Sequence, residues 1–173
     1  MITIYTEGTD DISQKSYDEA IAGLNIRELA CTCGSSRCLI QHGCYKRKIK
    51  APDGVFQLRV NRVKCTVCGC THALLFSSII PGSQILLKDQ LDIIKYSENK
   101  SGYVQILKSN LSLDENSVRA VVLRYRRNWQ KYVLAGDISV VPVESLIKNC
   151  FSTFHKQFMQ IKETSNILYI FPT

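Results

Sequence analysis

The chain has 173 residues, of which 45% are hydrophobic and 21% are charged, and its formal net charge is +7. This composition excludes a disordered or low-complexity protein, and the length is suited to two small modules rather than two full-sized domains. The sequence contains no apolar run of about 18 residues that could cross a membrane and no basic and apolar leader segment. We therefore expect a folded cytoplasmic protein without a membrane partner.

The positive charge is concentrated in the middle of the chain. Residues 1–30 carry a net charge of −4, residues 31–72 carry +7, residues 73–135 carry +4, and residues 136–173 are neutral. A concentrated basic segment attracts polyanions and provides the phosphate contacts that dominate nucleic-acid affinity. A solvated basic surface is the plainer interpretation of the charge alone.

Residues 1–30 are predicted to be an N-terminal packing segment. Loose alternation over residues 1–6 indicates a short strand, and the apolar spacing from Ser16 to Leu24 indicates a helix. The segment holds no catalytic constellation, so we expect it to be structural.

Residues 31–80 are predicted to form a zinc ribbon built on a β-hairpin. Two runs typical of strands, residues 45–50 and 55–63, flank a turn signal at residues 52–54, and a link over residues 71–82 follows. Alternation along the second run predicts a half-buried strand with Phe56, Leu58 and Val60 on its inner face and Gln57, Arg59 and Asn61 on its outer face.

Cysteines stand on both sides of this hairpin. In a reducing compartment clustered cysteines usually bind metal, and the two-residue spacer between Cys65 and Cys68 lets both thiolates face one ion. On the other side, one residue separates Cys31 from Cys33, and four separate Cys33 from Cys38. We expect Zn²⁺ on Cys31, Cys33, Cys65 and Cys68, with Cys38 as the alternative ligand of the first pair.

The other cysteines and histidines are weaker candidates for metal ligands. Cys44, Cys70 and Cys150 fit buried apolar residues or bystanders, and His42 or His72 could replace one cysteine. A catalytic zinc would need an open position and a nearby base, whereas the single acidic residue of the segment lies in the hairpin turn. The pattern therefore favours structural zinc.

Residues 81–135 are predicted to form a helix-turn-helix, which makes the whole chain an α+β protein: a small zinc ribbon followed by an all-α module. Apolar spacing indicates a first helix over about residues 85–94 and a second over about 102–108. The last segment, residues 136–173, is expected to contain an amphipathic helix from about 143 to 161. That helix would pack on the rest of the chain or form a homodimer contact.

A long third helix is expected to begin at Leu113, where Ser112 and Glu115 have the spacing of a capping box. Valines fall on one side of it and arginines on the remainder. In helix-turn-helix proteins the early turns of the second helix of the motif enter the major groove. This helix is therefore the candidate reader of bases, although an Arg-rich solvated helix would have the same pattern.

Two groups of side chains are candidates for DNA contacts. The hairpin offers phosphate contacts from Lys46, Arg47, Lys48, Lys50, Arg59 and Arg62. The early turns of the third helix offer base contacts from Asn116, Ser117, Arg119 and Ala120. Its later turns offer backbone contacts from Arg124, Arg126 and Arg127.

These motifs resemble a family of uncharacterised transposon-associated bacterial proteins and, more distantly, the zinc-ribbon heads of insertion-sequence transposases. The similarity spans about residues 25–130, and such heads often have two residues between the first cysteines where this chain has one. The motifs that carry it are Cys31-Thr32-Cys33-Gly34, residues 40–47, residues 62–68, and residues 71–75 continuing to Pro81.

The resemblance implies recognition of double-stranded DNA at transposon ends or a nearby promoter, with a transposase or recombinase as a possible partner. By the same resemblance a complete transposase would add a nuclease domain with three carboxylates. The late acidic residues Asp137, Glu144 and Glu163 lie in segments that do not fit such a domain. We therefore expect a regulator or accessory factor that is not an enzyme.

Three alternatives remain open at this point. The ribbon and the last helix could form a protein-interaction module that docks on a transposase or nuclease. RNA could replace DNA, although Tyr45 is the main aromatic of the basic hairpin and single-strand readers usually need a stacking platform. An enzyme using a metal or a thiol nucleophile is the least favoured.

Overall fold

The computed structural model describes residues 1–6, 12–99, 104–135, 141–161 and 167–170. This part of the chain is a mixed α/β structure. Its strands are β1 (Ile2–Tyr5), β2 (Leu39–Ala51), β3 (Gly54–Cys65), β4 (Thr71–Phe76) and β5 (Ile167–Ile170). Its helices are α1 (Gln14–Ala22), α2 (Leu87–Glu98), α3 (Val104–Ser109), α4 (Glu115–Trp129) and α5 (Val143–Phe154).

The predicted hairpin is confirmed as strands β2 and β3. They pair antiparallel with Tyr45 opposite Val60 and Ala51 opposite Gly54, and the register shifts between Gln41 and Cys44. Along β3, Leu58 and Val60 are buried and Phe56 packs against them, as the alternation predicted.

The hairpin is part of a larger sheet, with strand order β2-β3-β4-β1-β5. Strand β4 pairs antiparallel with β3, whereas β1 pairs parallel with both β4 and β5. The prediction of a link over residues 71–82 was therefore wrong for residues 71–76. The apolar run from residue 73 to 76 does not alternate because β4 is a central strand, with neighbours on both sides and most of its side chains buried.

The helices follow the predicted order with shifted ends. The N-terminal helix is α1, and its Ser13 cap accepts from the backbone N–H of Ser16. The last helix ends at Phe154 rather than near residue 161, because His155 adopts a left-handed conformation with φ of 51°. Gly102 and Tyr103, predicted in the second helix, lie outside the described residues.

The predicted capping box of the long helix was wrong. The N-cap of α4 is Asp114, whose side chain accepts from the backbone N–H of Ser117 at 2.7 Å. Ser112 instead donates to the carbonyl of Ala51 at the hairpin tip, at 2.8 Å. Asp114 is the N-cap in place of Ser112 because it lies immediately before the first helical turn and has an extended backbone. From this position its side chain reaches a free amide of that turn.

The described residues form two hydrophobic clusters. The first joins β1, α1, β4 and the hairpin, and the second joins α2, α4 and α5. After α4 the chain continues as a π-helix over Gln130–Leu134, whose residues Tyr132 and Val133 belong to the second cluster. Within the described residues, no helix has both the length and the apolar character needed to span a bilayer.

Candidate metal centre and basic surface

Cys65 and Cys68 form a turn at the end of β3. The backbone N–H of Cys68 lies 3.4 Å from Cys65 Sγ, and that of Gly69 donates to the Cys65 carbonyl at 3.0 Å. Gly69 has φ of +72°, a left-handed conformation that suits a residue without a Cβ. The turn thus places an amide donor against a thiol at the point where the strand ends.

Cys31 and Cys33 form the facing turn. The backbone N–H of Gly34 donates to the Cys31 carbonyl at 2.9 Å, and Gly34 has φ of +87°. The single residue between the two cysteines is therefore sufficient, because the chain reverses tightly at the glycine.

The two turns bring four thiols together. The sulfur atoms of Cys31, Cys33, Cys65 and Cys68 all lie within 4.8 Å of one another. Cys31 Sγ is 3.6 Å from Cys68 Sγ, and Cys33 Sγ is 3.9 Å from Cys65 Sγ. Sulfur atoms at the corners of a tetrahedron around zinc would be about 3.8 Å apart, given a Zn–S distance of about 2.3 Å. The four residues could therefore hold a metal ion, and their spacing fits a tetrahedral thiophilic one.

Cys38 lies beside this cluster but is not one of the four. Its thiol donates to the carbonyl of Ser35 at 3.1 Å, and burial raises its pKa to about 11. In contrast, the N–H of Cys68 lowers the pKa of Cys65 to about 6, and the hydroxyl of Ser35 lowers that of Cys33. Burial and the neighbouring thiols raise the pKa of Cys68 as well, so it is the position of its sulfur outside the group of four that sets Cys38 apart.

His72 was predicted only as a substitute ligand, and the structure places it against the cluster. Its imidazole is buried, and its Nε2 lies 3.3 Å from Cys31 Sγ. An imidazole N–H in this position can donate to a thiolate and fix its orientation. Among the other candidates, Cys150 is buried, whereas Cys44 and Cys70 are exposed.

No protein-family model, curated protein or solved structure matches this chain. The resemblance to transposon-associated proteins thus stays a prediction.

The predicted phosphate contacts of the hairpin divide between its two faces. Lys46 and Arg59 are paired across the strands, and both are exposed together with Lys48. Arg59 also lies 3.4 Å from the Asp18 carboxylate. Arg47 belongs to the inner face, where its Nη2 donates to the carbonyls of the loop after β4 at 2.7 and 2.6 Å.

The two remaining hairpin candidates are half-buried. Lys50 extends from the tip to α4, where its Nζ lies 3.3 Å from Asp114 Oδ2 and 3.2 Å from Ser117 Oγ. Arg62 has a buried Nε without a hydrogen-bond partner in the described structure.

The residues of α4 that were predicted to contact DNA also differ in exposure. Val118, Val121 and Val122 are buried, as predicted. Ser117 and Arg124 are half-buried and have partners within the protein. The exposed members are Asn116, Arg119, Ala120, Arg126 and Arg127.

Sequence reasoning missed the connection between the hairpin and α4. It consists of the Lys50–Asp114 ion pair and the hydrogen bond from Ser112 to Ala51. Asp114 directly precedes a helix and is a favoured N-cap type, so that part of the connection had a local signal. Its pairing with a lysine 64 residues away had none.

Proposed function

We propose that this protein binds double-stranded DNA through the exposed basic face of the hairpin and the exposed face of α4. One observation carries the proposal: Lys50 and Ser112 connect the hairpin tip to the start of α4. This connection holds two positively charged surfaces in one arrangement. A duplex that contacts both would meet phosphate contacts on the hairpin and a helix of suitable width for the major groove.

The proposed contacts are restricted to exposed side chains. Lys46 and Lys48 supply phosphate contacts from the hairpin, while Asn116 and Arg119 supply base contacts from the first turns of α4. Arg in bidentate geometry favours guanine and Asn favours adenine. In this proposal α3 and α4 are the two helices of a helix-turn-helix, with α2 packed against them.

The proposed metal is zinc, with a structural role. Four thiolates are a donor set that zinc favours, and they leave no open position for a substrate. When bound, zinc would supply folding free energy by joining the two turns at the base of the hairpin. The hairpin lysines would then be presented on a rigid support.

Selection from a pool of random duplex fragments tests the function. The protein loaded with zinc is expected to enrich a sequence of a few base pairs. Arg119→Ala and Asn116→Ala should change that sequence, and the matched control Lys15→Gln, on the acidic N-terminal segment, should not. No enrichment together with no retention of duplex at about 50 mM salt would contradict the proposal.

A protein-docking module is the second candidate. Leu111, Leu123 and Leu134 are exposed hydrophobic residues, at 82%, 55% and 64% of their surface. A protein partner such as a transposase or a second copy would cover these apolar side chains if they form one contiguous patch. Failure of duplex binding with an intact, metal-loaded protein would favour this candidate.

A further inference from the structure

A cavity of about 200 Å³ lies where the hairpin tip, the loop after β4 and α4 meet. Its walls include Lys50 from the hairpin, Ser83 from the loop, and Ser117 and Arg124 from α4. Two cationic side chains and two hydroxyl groups therefore line a space that is larger than a water molecule.

Arg124 is held in place by a buried amide. Its Nη2 donates to Oε1 of Gln90 at 3.1 Å, and Gln90 is completely buried. The Nε2 of Gln90 donates in turn to the Ile85 carbonyl at 2.7 Å and lies 3.2 Å from Ser83 Oγ. Because both ends of the amide are bonded, its oxygen is fixed towards the guanidinium. Arg124 is thus preorganised rather than free to reorient.

The guanidinium of Arg124 has unused capacity for an anion. Its Nε is buried and has no hydrogen-bond partner in the described structure. None of the ion pairs among the described residues includes Arg124. Burial lowers its pKa to about 10, so it stays charged at neutral pH. A half-buried cation with only a neutral amide partner is costly, and an anion would offset that cost.

The hairpin contributes the second cation of the cavity. Lys50 Nζ contacts Ser117 Oγ and the carboxylate of Asp114. The Asp114 side chain is 60% exposed, whereas that of Lys50 is 20% exposed, so the carboxylate lies towards solvent and the ammonium towards the protein. Ser117 Oγ accepts from Lys50, and its hydroxyl also donates to the Asp114 carboxylate.

We propose that this cavity is a binding site for a phosphate-type oxyanion, held by Arg124 and Lys50. A tetrahedral anion with several acceptor oxygens matches a guanidinium fork from α4 and an ammonium from the hairpin. Identifying the anion as one backbone phosphate of bound DNA rests on the proposed function. The site would then fix the register of the duplex on the protein, because one phosphate would bind in the cavity between the hairpin and α4.

Inorganic phosphate tests the site without DNA. In the metal-loaded wild-type protein, the Nε–H nuclear magnetic resonance signal of Arg124 should shift in a saturable way as phosphate replaces chloride at constant ionic strength. The signal is assigned by its loss in Arg124→Lys. The exposed Arg126 and Arg127 serve as internal references. A shift of Arg124 that is linear and no larger than theirs would overturn the proposal.

Duplexes carrying single neutral methylphosphonate groups test the DNA form of the site. One such position should weaken binding to the wild-type protein by about tenfold or more, because a hydrogen-bonded charge is lost. The same methylphosphonate should hardly weaken duplex binding by Arg124→Met any further, whereas it should weaken binding by Lys15→Gln as much as by the wild type. Additive losses in Arg124→Met would exclude the contact. If the wild-type protein fails to bind duplex, the proposed function fails, and the phosphate titration still decides the cavity.

Discussion

Cys65 ends β3 with a buried thiol, and its backbone N–H donates to the Cys70 carbonyl at 2.9 Å. Its sulfur is 3.9 Å from that of Cys33, on the turn contributed by a distant part of the chain. Without a metal, sulfur atoms at this spacing provide little cohesion. With one, they connect segments that begin and end the hairpin.

Cys65→Ser is expected to release the metal and to lower the free energy of unfolding strongly. The reason is that the metal-binding free energy of a structural zinc site, on the order of 10 kcal/mol or more, is available for folding. Elemental analysis and thermal melting measure the two effects, with one zinc per chain expected in the wild-type protein.

Cys44→Ser is the matched control, because Cys44 is an exposed cysteine of the same hairpin outside the cluster. It should retain the metal and melt within a few degrees of wild type. Equal losses in both variants, or a wild-type protein without metal when purified without chelator, would show that the ligands are misassigned.

The four clustered cysteines illustrate what individual residues reveal before a structure is known. The Cys65 and Cys68 pair follows from spacing alone, because a two-residue turn is a local geometry. The choice of Cys31 over Cys38 depends on the hydrogen bond between Cys38 and Ser35 and on where the opposite turn lies. The contact between His72 and Cys31 joins residues 41 positions apart and has no local signal.

At the scale of elements, the start of α4 depends on Asp114. The backbone N–H of Ser117 holds the pKa of this carboxyl below its usual range, and Lys50 acts in the same direction. Asp114→Ala is therefore expected to lower the melting temperature at neutral pH. A carboxyl with a depressed folded pKa stabilises above its unfolded pKa and loses this effect as pH falls through the folded value.

Melting of wild type and Asp114→Ala across pH checks this expectation. The difference should be full near pH 7 and should shrink below about pH 4, the ordinary range for Asp. Glu115→Gln removes a neighbouring charge without removing the cap and should have the smaller effect. A difference between wild type and Asp114→Ala that does not change with pH would argue against an ionised cap.

The exposed side chains of the hairpin are expected to set the overall affinity for duplex DNA. Those of α4 are expected to determine which sequence is bound. Arg119→Ala should change which sequence is bound, since a bidentate base contact contributes about 1–3 kcal/mol of discrimination. Lys48→Ala should weaken all sequences similarly and flatten the log-log salt slope by about one unit. Binding to panels of single-base variants measures both. If Arg119→Ala keeps the preference while Lys48→Ala alters it, the hairpin reads the bases.

The elements differ in how far the sequence predicts them. The hairpin has period-two alternation and a turn signal, and α4 has a 3.6-residue apolar pattern, so both were predicted. The first strand of the hairpin, predicted from residue 45, nevertheless begins at Leu39. Strand β4 lacks alternation because its neighbours cover it, and β5 is four residues long. The parallel pairing of β1 with β4 and β5 joins segments far apart in sequence, which local patterns do not encode.

At the scale of the whole molecule, the candidate metal site lies at the edge of the first hydrophobic cluster, which includes Cys31, Cys38 and Cys65. The second cluster contains no residue of the four-thiol site. Metal removal should therefore loosen the first cluster before the second. Hydrogen exchange after chelation should accelerate at the amides of Cys65 and Thr66, while those in the middle of α4 stay protected.

Readdition of zinc should restore protection at those two amides. A simultaneous loss of protection in α4 would contradict this order of events and would mean that the two clusters unfold as one unit. No change at Cys65 would contradict a metal site there.

The salt dependence of duplex binding tests the central proposal most directly. The anisotropy of a labelled duplex, titrated with zinc-loaded protein at several salt concentrations, gives the slope of log K against log salt. Contacts from the hairpin lysines, α4 and the anion cavity predict a slope of about −3 or steeper, at about −0.9 per phosphate contact. A slope near zero, or no binding at about 50 mM salt by protein shown to be folded and metal-loaded, would contradict the account.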